Sequence, residues 1–462
     1  MAESPVAVFD RLVRQDVPES TPVLFDTACV LGGSIAGLLA ARVLADYARE
    51  VLVIERDEVD VTGQPRAGVP HDQQAHALMP GGLALMEGWL PGITDEMRDD
   101  GGVLLTPDAM DFYVDGVEQL RTGDTHMLLS SRPFLESALR RRVLDLPNVS
   151  TITAQVTGLV YQDDAVSAVR YLEVDGEDIL PVDFVVDAMG RSSNLSDWLD
   201  EAGYSRPHQQ RMETGIHYTT AVFGGAGTGA DRRFTTLQYP QFAGPGGLAA
   251  GLVVPVENDQ RMVCLLVYGG NKPPGSMEEF RALCDRLPAS FSRAADGVVV
   301  RDVMRFRQAT SRRRDFVGLA HFPARIVSVG DAAVSLNAKY AQGVSSAALH
   351  AACLSDYLAS DPDLALPGQR FFASQKVATD AAWGLSASAD AVRTDILQGV
   401  ERSEELQRQR SAMEQLMQAA RTDATIAEAC QAVRFMFAHP DTLADPALIE
   451  RAVAVNQRAG RL

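Results

Sequence analysis

Cysteine is scarce in this chain. Five cysteines are spread over 462 residues, and no two of them form a Cys-x-x-Cys pair. The chain therefore lacks the paired thiols that a disulfide scaffold, a structural zinc site or a redox disulfide requires. We expect no metal site and a protein that resides in a reducing cytoplasm.

Long apolar runs and excess positive charge are also missing. No apolar stretch approaches the length of a membrane span, and the first ten residues, MAESPVAVFD, lack the basic and apolar regions of a signal peptide. The chain carries 42 Lys and Arg against 61 Asp and Glu, a formal net charge of −19. Because an acidic surface repels nucleic acids and anionic membranes, the sequence predicts neither as a partner. It predicts a soluble, cytoplasmic protein and carries no indication of its oligomeric state.

Residues 27–57 contain a pattern that predicts a strand, a glycine turn, a helix and a second strand. Gly32 would allow the tight turn, Gly37 would let the helix pack closely on the sheet, and the helix N-terminus would present free N–H groups to a pyrophosphate. Glu55 ends the second strand, where a carboxylate can accept hydrogen bonds from a ribose. The middle glycine of the usual G-x-G-x-x-G pattern is Ser34. A strand–turn–helix unit without ligand is the alternative, but the order of all the parts favours a dinucleotide site.

The remainder of the chain is long enough for two or three domains. Residues 211–304 contain β-rich segments separated by Gly, Pro and Asn-Asp turns, which predict an inserted antiparallel sheet. Gly330 and Asp331 then follow a second buried strand, and a helix opens near Gly343. A carboxylate at this place can hold a sugar or ribityl hydroxyl, and the positive helix end suits the electron-rich edge of a flavin. Residues 366–462 are helical by pattern.

Five blocks in this order resemble the group A flavin monooxygenase superfamily, the p-hydroxybenzoate hydroxylase-like enzymes: GGSIAGLLAARVLAD, RAGVPHDQQAHAL, SRPFLESALRRRV, FVVDAMGRSSNLSDWLDEAGY and VGDAAVSLNAKYAQGVSSAAL. Within it, the chain is most similar to a polyketide-tailoring branch that includes the lasalocid and monensin epoxidases. The resemblance implies an α/β fold, with a Rossmann-like FAD-binding domain, an inserted antiparallel β-sheet substrate domain and a C-terminal helical region. The implied boundaries are 25–105, 126–205 and 305–365 for the FAD-binding domain, 206–304 for the sheet and 366–462 for the helices.

The resemblance also implies which residues hold FAD. The adenosine would lie at Gly32, Gly37, Glu55 and Arg56, with Val156 near the adenine. Arg132 would lie near the pyrophosphate or ribityl chain, Asp331 at the ribityl chain, and Gly343 and Val344 at the ring. Gly33, Ser34, Arg66 and Gly330 complete the predicted cofactor set. A dehydrogenase that uses only NAD is disfavoured by the Gly-Asp block.

Departures from the epoxidase branch concentrate beside the expected flavin ring. The arginine and histidine that the branch carries ahead of His76 are here Gln73 and Gln74. The loop 337–343 reads NAKYAQG where the branch has N-P-x-Y-G-Q-G, so that a proline and a glycine are replaced by alanines. Side chains in this loop could block oxygen chemistry at the flavin, because a glycine N–H approaches a ligand most closely. Tolerated drift is the alternative interpretation.

Two functions follow from this pattern. The first is a redox-silent cyclase like the FAD-dependent (4+2) cyclase of pyrroindomycin biosynthesis, which folds a linear polyene for a Diels–Alder-type reaction giving a decalin-like ring. The second is an olefin epoxidase or hydroxylase that needs NAD(P)H and oxygen. Both functions imply a hydrophobic polyketide substrate. The sequence does not assign a catalytic residue for either function. The predicted pocket residues are His76, Phe234, Gln238, Tyr239, Phe242 and Lys339; a structural hydrogen bond is the alternative role for His76.

Overall fold

The computed structural model describes residues 3–18, 20–58, 62–66, 68–69, 71–174, 176–225, 232–240 and 243–460. The helices are α1 (Pro5–Val13), α2 (Ile35–Ala45), α3 (Pro80–Trp89), α4 (Ile93–Asp99), α5 (Arg132–Leu144), α6 (Leu195–Glu201), α7 (Met277–Cys284), α8 (Ala289–Ala295), α9 (Gly343–Ala359), α10 (Gln369–Gln398), α11 (Glu404–Ala419), α12 (Ala424–Arg434) and α13 (Pro446–Arg458). The strands are β1 (Phe25–Leu31), β2 (Ala48–Glu55), β3 (Val103–Leu105), β4 (Met110–Val114), β5 (Val117–Glu118), β6 (Met127–Leu129), β7 (Val149–Thr153), β8 (Gln155–Gln162), β9 (Ala165–Glu173), β10 (Gly176–Pro181), β11 (Phe184–Asp187), β12 (His208–Gly224), β13 (Phe234–Gln238), β14 (Leu248–Val256), β15 (Gln260–Tyr268), β16 (Val298–Asp315), β17 (Ile326–Ser328) and β18 (Val334–Ser335).

A five-stranded parallel sheet, in the order β17-β11-β1-β2-β7, forms the centre of the first domain. Strands β1 and β2 end in the fully buried runs 28–31 and 51–55, as expected of strands covered on both faces. Helix α2 connects them and packs against α5 and α9. The predicted strand–turn–helix–strand unit is therefore confirmed, and the carboxyl ends of β1, β2, β11 and β17 meet at one edge of the sheet.

An eight-stranded sheet, in the order β18-β16-β12-β15-β14-β13-β4-β5, forms the second layer. The sequence predicts an antiparallel sheet, and its pairings are antiparallel except that β13 pairs with β4 in parallel. Its strands also come from a longer part of the chain than 206–304, because β4 and β5 join one edge and β16 runs on to Asp315. One face of this sheet is covered by α7 and α8, which share a separate apolar core with it.

The C-terminal region is helical, as predicted. Helix α10 packs on α9, while α11, α12 and α13 enclose a small apolar core of their own around Leu416, Ile426 and Val433. The Rossmann-like domain, the inserted sheet and the helical region give the expected α/β fold class. The exact domain boundaries stay a prediction.

Within the described ranges, no helix is both long and apolar enough to cross a membrane. In the same part of the chain, no group of three or more His, Cys, Asp or Glu side chains is placed to hold a metal ion.

Candidate cofactor and substrate site

Two glycines shape the turn between β1 and α2. Gly32 has a φ of +105°, and a Cβ there would lie 2.6 Å from the carbonyl oxygen of Ala188. A Cβ on Gly37 would lie 1.8 Å from the carbonyl oxygen of Gly32, so that only glycine lets α2 approach the turn so closely. Ser34 stands at the N-cap of α2 but makes no capping hydrogen bond. The first N–H groups of α2 can therefore serve an anion.

Glu55 lies at the end of β2 and faces this turn. Its Oε2 accepts a hydrogen bond from the N–H of Gly33 at 2.8 Å and lies 3.1 Å from Nη1 of Arg66. Burial acts to raise the pKa of Glu55, but Arg66 and the backbone N–H groups of Asp57 and Gly33 outweigh it and leave the pKa lowered. Glu55 is therefore ionised at neutral pH, as an acceptor for ribose hydroxyls must be.

Three arginines surround the buried carboxylate of Glu136 beside the turn. The Glu136 oxygens lie 2.8 Å from Nη2 of Arg66, 3.3 Å from Nη2 of Arg132 and 3.1 Å from Nη2 of Arg140. Arg132 also donates to the hydroxyl of Ser34 at 2.8 Å. Burial lowers the pKa of Arg132 despite the opposing effect of Glu136, so its charge is incompletely compensated. A further anion here would be stabilised.

The cluster opens into a cleft of about 290 Å³, and Arg66, Asp72, Arg132 and Arg140 are among its lining residues. The Nε atom of Arg66 is buried there without a hydrogen-bond partner among the described residues. A buried donor without an acceptor is costly, and a ligand oxygen in the cleft would satisfy it.

The predicted second anchor lies directly opposite the first. Gly330 has a φ of +59°, and a Cβ there would lie 2.5 Å from the Cβ of Ala36, in the first turn of α2. Its N–H donates to Nδ1 of His350 at 2.9 Å, which fixes the turn. The carboxylate of the next residue, Asp331, accepts from the hydroxyl of Ser335 at 2.9 Å. Burial raises the pKa of Asp331 although Ser335 opposes the shift. The two Gly-containing turns therefore lie against each other at the start of α2, and their contacts with a cofactor stay a prediction.

A second cleft, of about 310 Å³, lies at the expected ring end. Its lining includes His76, Arg132 and Val344, three residues that the sequence predicts to be near the cofactor. His76 Nδ1 lies 2.9 Å from the carbonyl oxygen of Gln74. Burial, with a smaller contribution from Arg132, lowers the pKa of His76 to about 4. The imidazole is therefore neutral at pH 7, and its place in a substrate pocket stays a prediction.

The residues that depart from the epoxidase branch are built into the surrounding framework. Gln74 is buried and accepts a hydrogen bond from the hydroxyl of Thr220, in β12, at 2.6 Å. The N–H of Ala338 donates to Oε1 of Gln308 at 3.3 Å, a bond that proline could not make. Ala341 keeps a φ of +53°, the left-handed conformation that glycine adopts more easily.

Gln73, the other glutamine that departs from the epoxidase branch, binds Arg301. Its carbonyl oxygen accepts from Nη2 of Arg301 at 2.7 Å, and its side-chain oxygen lies 3.4 Å from Nη1 of the same arginine. Arg301 belongs to β16, so the loop that carries Gln73 is fastened to the eight-stranded sheet.

Lys339 brings three of the predicted pocket residues together. Its side chain is 2% exposed, and Nζ donates to the hydroxyl of Tyr268 at 2.7 Å and to the carbonyl oxygen of Tyr239 at 3.5 Å. Nε2 of Gln238 donates to the carbonyl oxygen of Lys339 at 3.3 Å. Burial lowers the pKa of Lys339 to about 8, against the opposing effect of Asp390. Lys339, Gln238 and Tyr239 therefore join the loop 337–343 to the sheet.

The loop is also held from the helical side by Asp390 of α10. The Asp390 carboxylate accepts from Nδ2 of Asn337 at 2.8 Å and from the hydroxyl of Tyr340 at 3.2 Å. Burial raises the pKa of Asp390, although Asn337 and Lys339 oppose the shift.

The other predicted residues are less directly placed. Phe234 is 1% exposed and packs edge-on against Phe112, with ring centroids 6.1 Å apart, in the apolar core. Arg56 is exposed and donates to the carbonyl oxygen of Gly68 at 3.4 Å. Val156 is half-buried in β8, beyond the end of β2. Phe242 lies outside the described residues. Ligand contacts at all four positions stay predictions.

Sequence reasoning missed Glu136 and Arg140. With Arg132 they form a row at four-residue spacing on α5, which places all three side chains on one face of the helix. That spacing is visible in the sequence SRPFLESALRRRV and could have indicated the cluster.

Known proteins resemble this chain in both sequence and structure. A family model described as the FAD binding domain matches residues 26–361. Protein Rv3254 of Mycobacterium tuberculosis is 34% identical over 358 residues, which cover 71% of this chain and 71% of that protein.

Three solved structures illustrate the shared fold. The flavin-dependent brominase Bmp2 superposes with a TM-score of 0.65 and 14% identity, covering 95% of this chain and 100% of that one. The p-nitrophenol 4-monooxygenase PnpA of Pseudomonas putida has a TM-score of 0.62 and 19% identity, covering 90% and 99%. The Diels-Alderase PyrE3 of the pyrroindomycin pathway has a TM-score of 0.56 and 19% identity, covering 89% and 80%.

Proposed function

Because this chain belongs to the FAD binding domain family, with FAD as its cofactor, we propose that it is a polyketide-tailoring cyclase that uses FAD without redox turnover. In this proposal the substrate is a linear polyene, and the product is an isomer that carries a new ring from a (4+2) cycloaddition. A catalyst of this kind gains rate by holding a flexible chain in its reactive geometry.

The cleft fits FAD in three respects. A Cβ at Gly32 or Gly37 would clash with backbone oxygens, so these glycines hold the turn tightly against the start of α2, whose first N–H groups have no side-chain cap. Nε of Arg66 is a buried donor that lacks an acceptor among the described residues. The arginine cluster around Glu136 suits a diphosphate. When bound, FAD would supply a flat aromatic wall at the ring end.

One observation carries the proposal: the departures at the ring end are integrated into the hydrogen-bond framework. The side chain of Gln74 accepts from Thr220, Gln73 binds Arg301, and the N–H of Ala338, which a proline would lack, donates to Gln308. Drift at exposed positions would leave the departing residues without such partners, whereas these contacts support a rebuilt ring end. A reaction that does not use oxygen tolerates such changes, because it needs no space for oxygen chemistry beside the flavin ring.

The chain's own residues would position the substrate. Gln238 and Lys339 lie between the sheet and the loop 337–343, where an ordered polar pair can orient the carbonyl end of a polyene. The apolar side chains of the sheet would exclude water and restrict the chain.

Fold similarity favours a second candidate, an NAD(P)H- and oxygen-dependent monooxygenase acting on the same class of substrate. The similar structures include a brominase and a nitrophenol monooxygenase, and both names denote oxidative reactions. Gln342 and Gly343 also keep the sequence of the epoxidase branch at the N-terminus of α9.

Anaerobic reduction of the flavin separates the two candidates. The holoprotein is mixed with NADPH and then NADH, each with and without a polyene extract, while the oxidised flavin absorbance is followed. The cyclase predicts an unbleached flavin and a substrate isomer of unchanged mass. Bleaching that air reverses, with an oxygenated product, would replace the cyclase by the monooxygenase. Reduction of the same sample by dithionite is the control that the flavin is competent.

A further inference from the structure

A separate cavity lies between the edge of the eight-stranded sheet and the C-terminal helices. It is partly open to solvent, and its walls come from β4, the segment 119–122, α11 and α12. Its apolar lining includes Met110, Phe112, Leu120, Met417, Ala427 and Cys430, so the cavity suits a hydrophobic ligand.

Arg434 is one of two arginines that line the cavity. It is partly buried, and its guanidinium carbon lies 5.0 Å from the centre of the Phe112 ring. Among the described residues, no carboxylate forms an ion pair with it and no acceptor forms a hydrogen bond with it. Burial lowers the pKa of Arg434, with only a small opposing effect from Cys430. A half-buried guanidinium with no carboxylate beside it among the described residues would be stabilised by an anionic ligand group.

Arg121, the other arginine of the cavity, differs from Arg434 because it forms ion pairs within the protein. Arg121 lies 2.8 Å from a carboxylate oxygen of Asp111 and 2.7 Å from one of Glu118. Its charge is therefore balanced within the protein. Arg434 alone of the two is available to a ligand.

The cavity lies on the same sheet as the predicted substrate pocket. Phe112 of β4 pairs with Thr236 of β13, and Gln238 lies two residues further along β13. Two residues of a strand span roughly 7 Å. Gln238 in turn contacts Lys339 at 3.3 Å. A ligand anchored at Arg434 could therefore extend along the sheet towards the loop 337–343.

We infer that this cavity binds the anionic head of an amphipathic substrate, an apolar chain that carries a carboxylate or a comparably acidic enol, through Arg434. The inference rests on the proposed function only in taking a hydrophobic polyketide as the natural occupant. Binding itself requires neither cyclisation nor flavin reduction, so its test is independent of which chemistry the enzyme performs.

Decanoate and decanol are suitable probes because they share an apolar chain and differ in the charge of the head. Each is titrated into the FAD-loaded protein by calorimetry. We expect decanoate to bind at least about tenfold more tightly than decanol, since charge-assisted hydrogen bonds to arginine exceed neutral ones by that amount. Arg434→Gln should abolish the preference while leaving decanol binding unchanged.

A matched control is Arg408→Gln, which removes an exposed arginine from α11 and should keep the preference. If Arg434→Gln fails to retain FAD, Ala427→Phe fills the cavity from α12 and should weaken both probes. Equal affinity of the wild-type protein for both probes, no binding of either, a preference that survives Arg434→Gln, or undiminished binding by Ala427→Phe would each overturn the inference.

Discussion

Ala341 holds a left-handed backbone conformation that its own side chain disfavours. The penalty for a non-glycine residue at such a φ is about 1–2 kcal/mol, and part of it is offset by the greater freedom of glycine in the unfolded chain. We expect Ala341→Gly to raise the free energy of unfolding by a net ~0.5–1 kcal/mol, measured by urea denaturation of the holoprotein.

The control for Ala341→Gly is the same substitution in an ordinary helix. Ala454 is exposed in the interior of α13, where glycine should lower stability by about 0.5–1 kcal/mol. The opposite signs at the two positions test the role of backbone strain. Equal destabilisation at both would contradict it.

Lys339 should make stability depend on pH in a defined direction. Its pKa of about 8 in the folded protein lies below the value of about 10.4 in an unfolded chain, so between these values the unfolded state binds more protons. The contribution of Lys339 to stability is therefore unfavourable below pH 8 and improves as the pH rises towards 10.4. Asp390, Arg393 and Asp115 are the charged groups that act on it.

The comparison of Lys339→Met with the wild-type protein isolates this effect. Other lysines and tyrosines titrate in both proteins, so their contributions cancel in the difference. We expect wild-type stability, relative to Lys339→Met, to increase between pH 8 and 10 in chemical denaturation. If the difference in unfolding free energy between the two proteins stays constant with pH, the pKa of Lys339 is not lowered by folding.

For single residues, the sequence predicts the local conformation best where only one residue type can adopt it. Gly32, Gly37 and Gly330 have conformations or close contacts that exclude a side chain, and such requirements are visible in a short motif. The burial of Lys339 depends on Tyr268 and Asp390, which lie far away in the chain. A motif cannot show such contacts.

Helix α5 carries the arginine cluster on one face, and this arrangement can be tested. Arg140 donates to Glu136 and to the carbonyl oxygen of Gly33, so it supports both the cluster and the glycine turn. We expect Arg140→Gln to weaken FAD binding about tenfold, because one charge-assisted contact to the phosphate-binding cluster is worth about that factor. Fluorescence titration of the apoprotein with FAD measures it.

Arg142→Gln is the matched control on the same helix. Arg142 lies 2.9 Å from Glu96 in a partly exposed pair, and a pair that solvent can screen contributes about 1 kcal/mol or less. FAD affinity should be unchanged in this variant. The same loss in both would point to a general effect on α5.

The sequence predicts α5 itself well. Ser131 is a typical capping residue and accepts from the N–H of Phe134 at 3.3 Å, and Leu135, Ala138 and Leu139, which recur at helical spacing, form the buried face. What the pattern does not show is that Glu136, which is polar, is buried too. Burial of a polar side chain depends on neighbouring elements, here the loop that carries Arg66.

Across the whole molecule, FAD is expected to contact turns that are distant in the chain and meet at the carboxyl edge of the parallel sheet, and so to couple folding to binding. FAD at one hundred times its Kd should raise the free energy of unfolding by about 2.7 kcal/mol. Riboflavin, which lacks the pyrophosphate and adenosine, should give a much smaller shift at the same concentration if the arginine cluster carries the affinity. Equal shifts from both ligands would assign binding to the ring end alone.

The layers of the molecule were predictable, but the membership of the large sheet was not. Local patterns indicate strands in 211–304, and these form. The parallel pairing of β13 with β4 joins segments distant in the chain, and no local pattern encodes such partners. The antiparallel pairing of β18 with β16 likewise adds a strand from outside 206–304. The departures at the ring end were visible in the sequence, whereas their hydrogen-bond partners became visible only in the fold.

The parallel pairing of β4 with β13 has a consequence for synthesis on the ribosome. About 120 residues separate the two strands, so β4 emerges long before its partner exists. At 5–20 residues per second this interval lasts roughly 6–24 s. During that time Met110 and Val114, which are buried in the finished protein, are exposed on an unpaired strand. The nascent chain therefore passes through a period in which chaperone protection matters most.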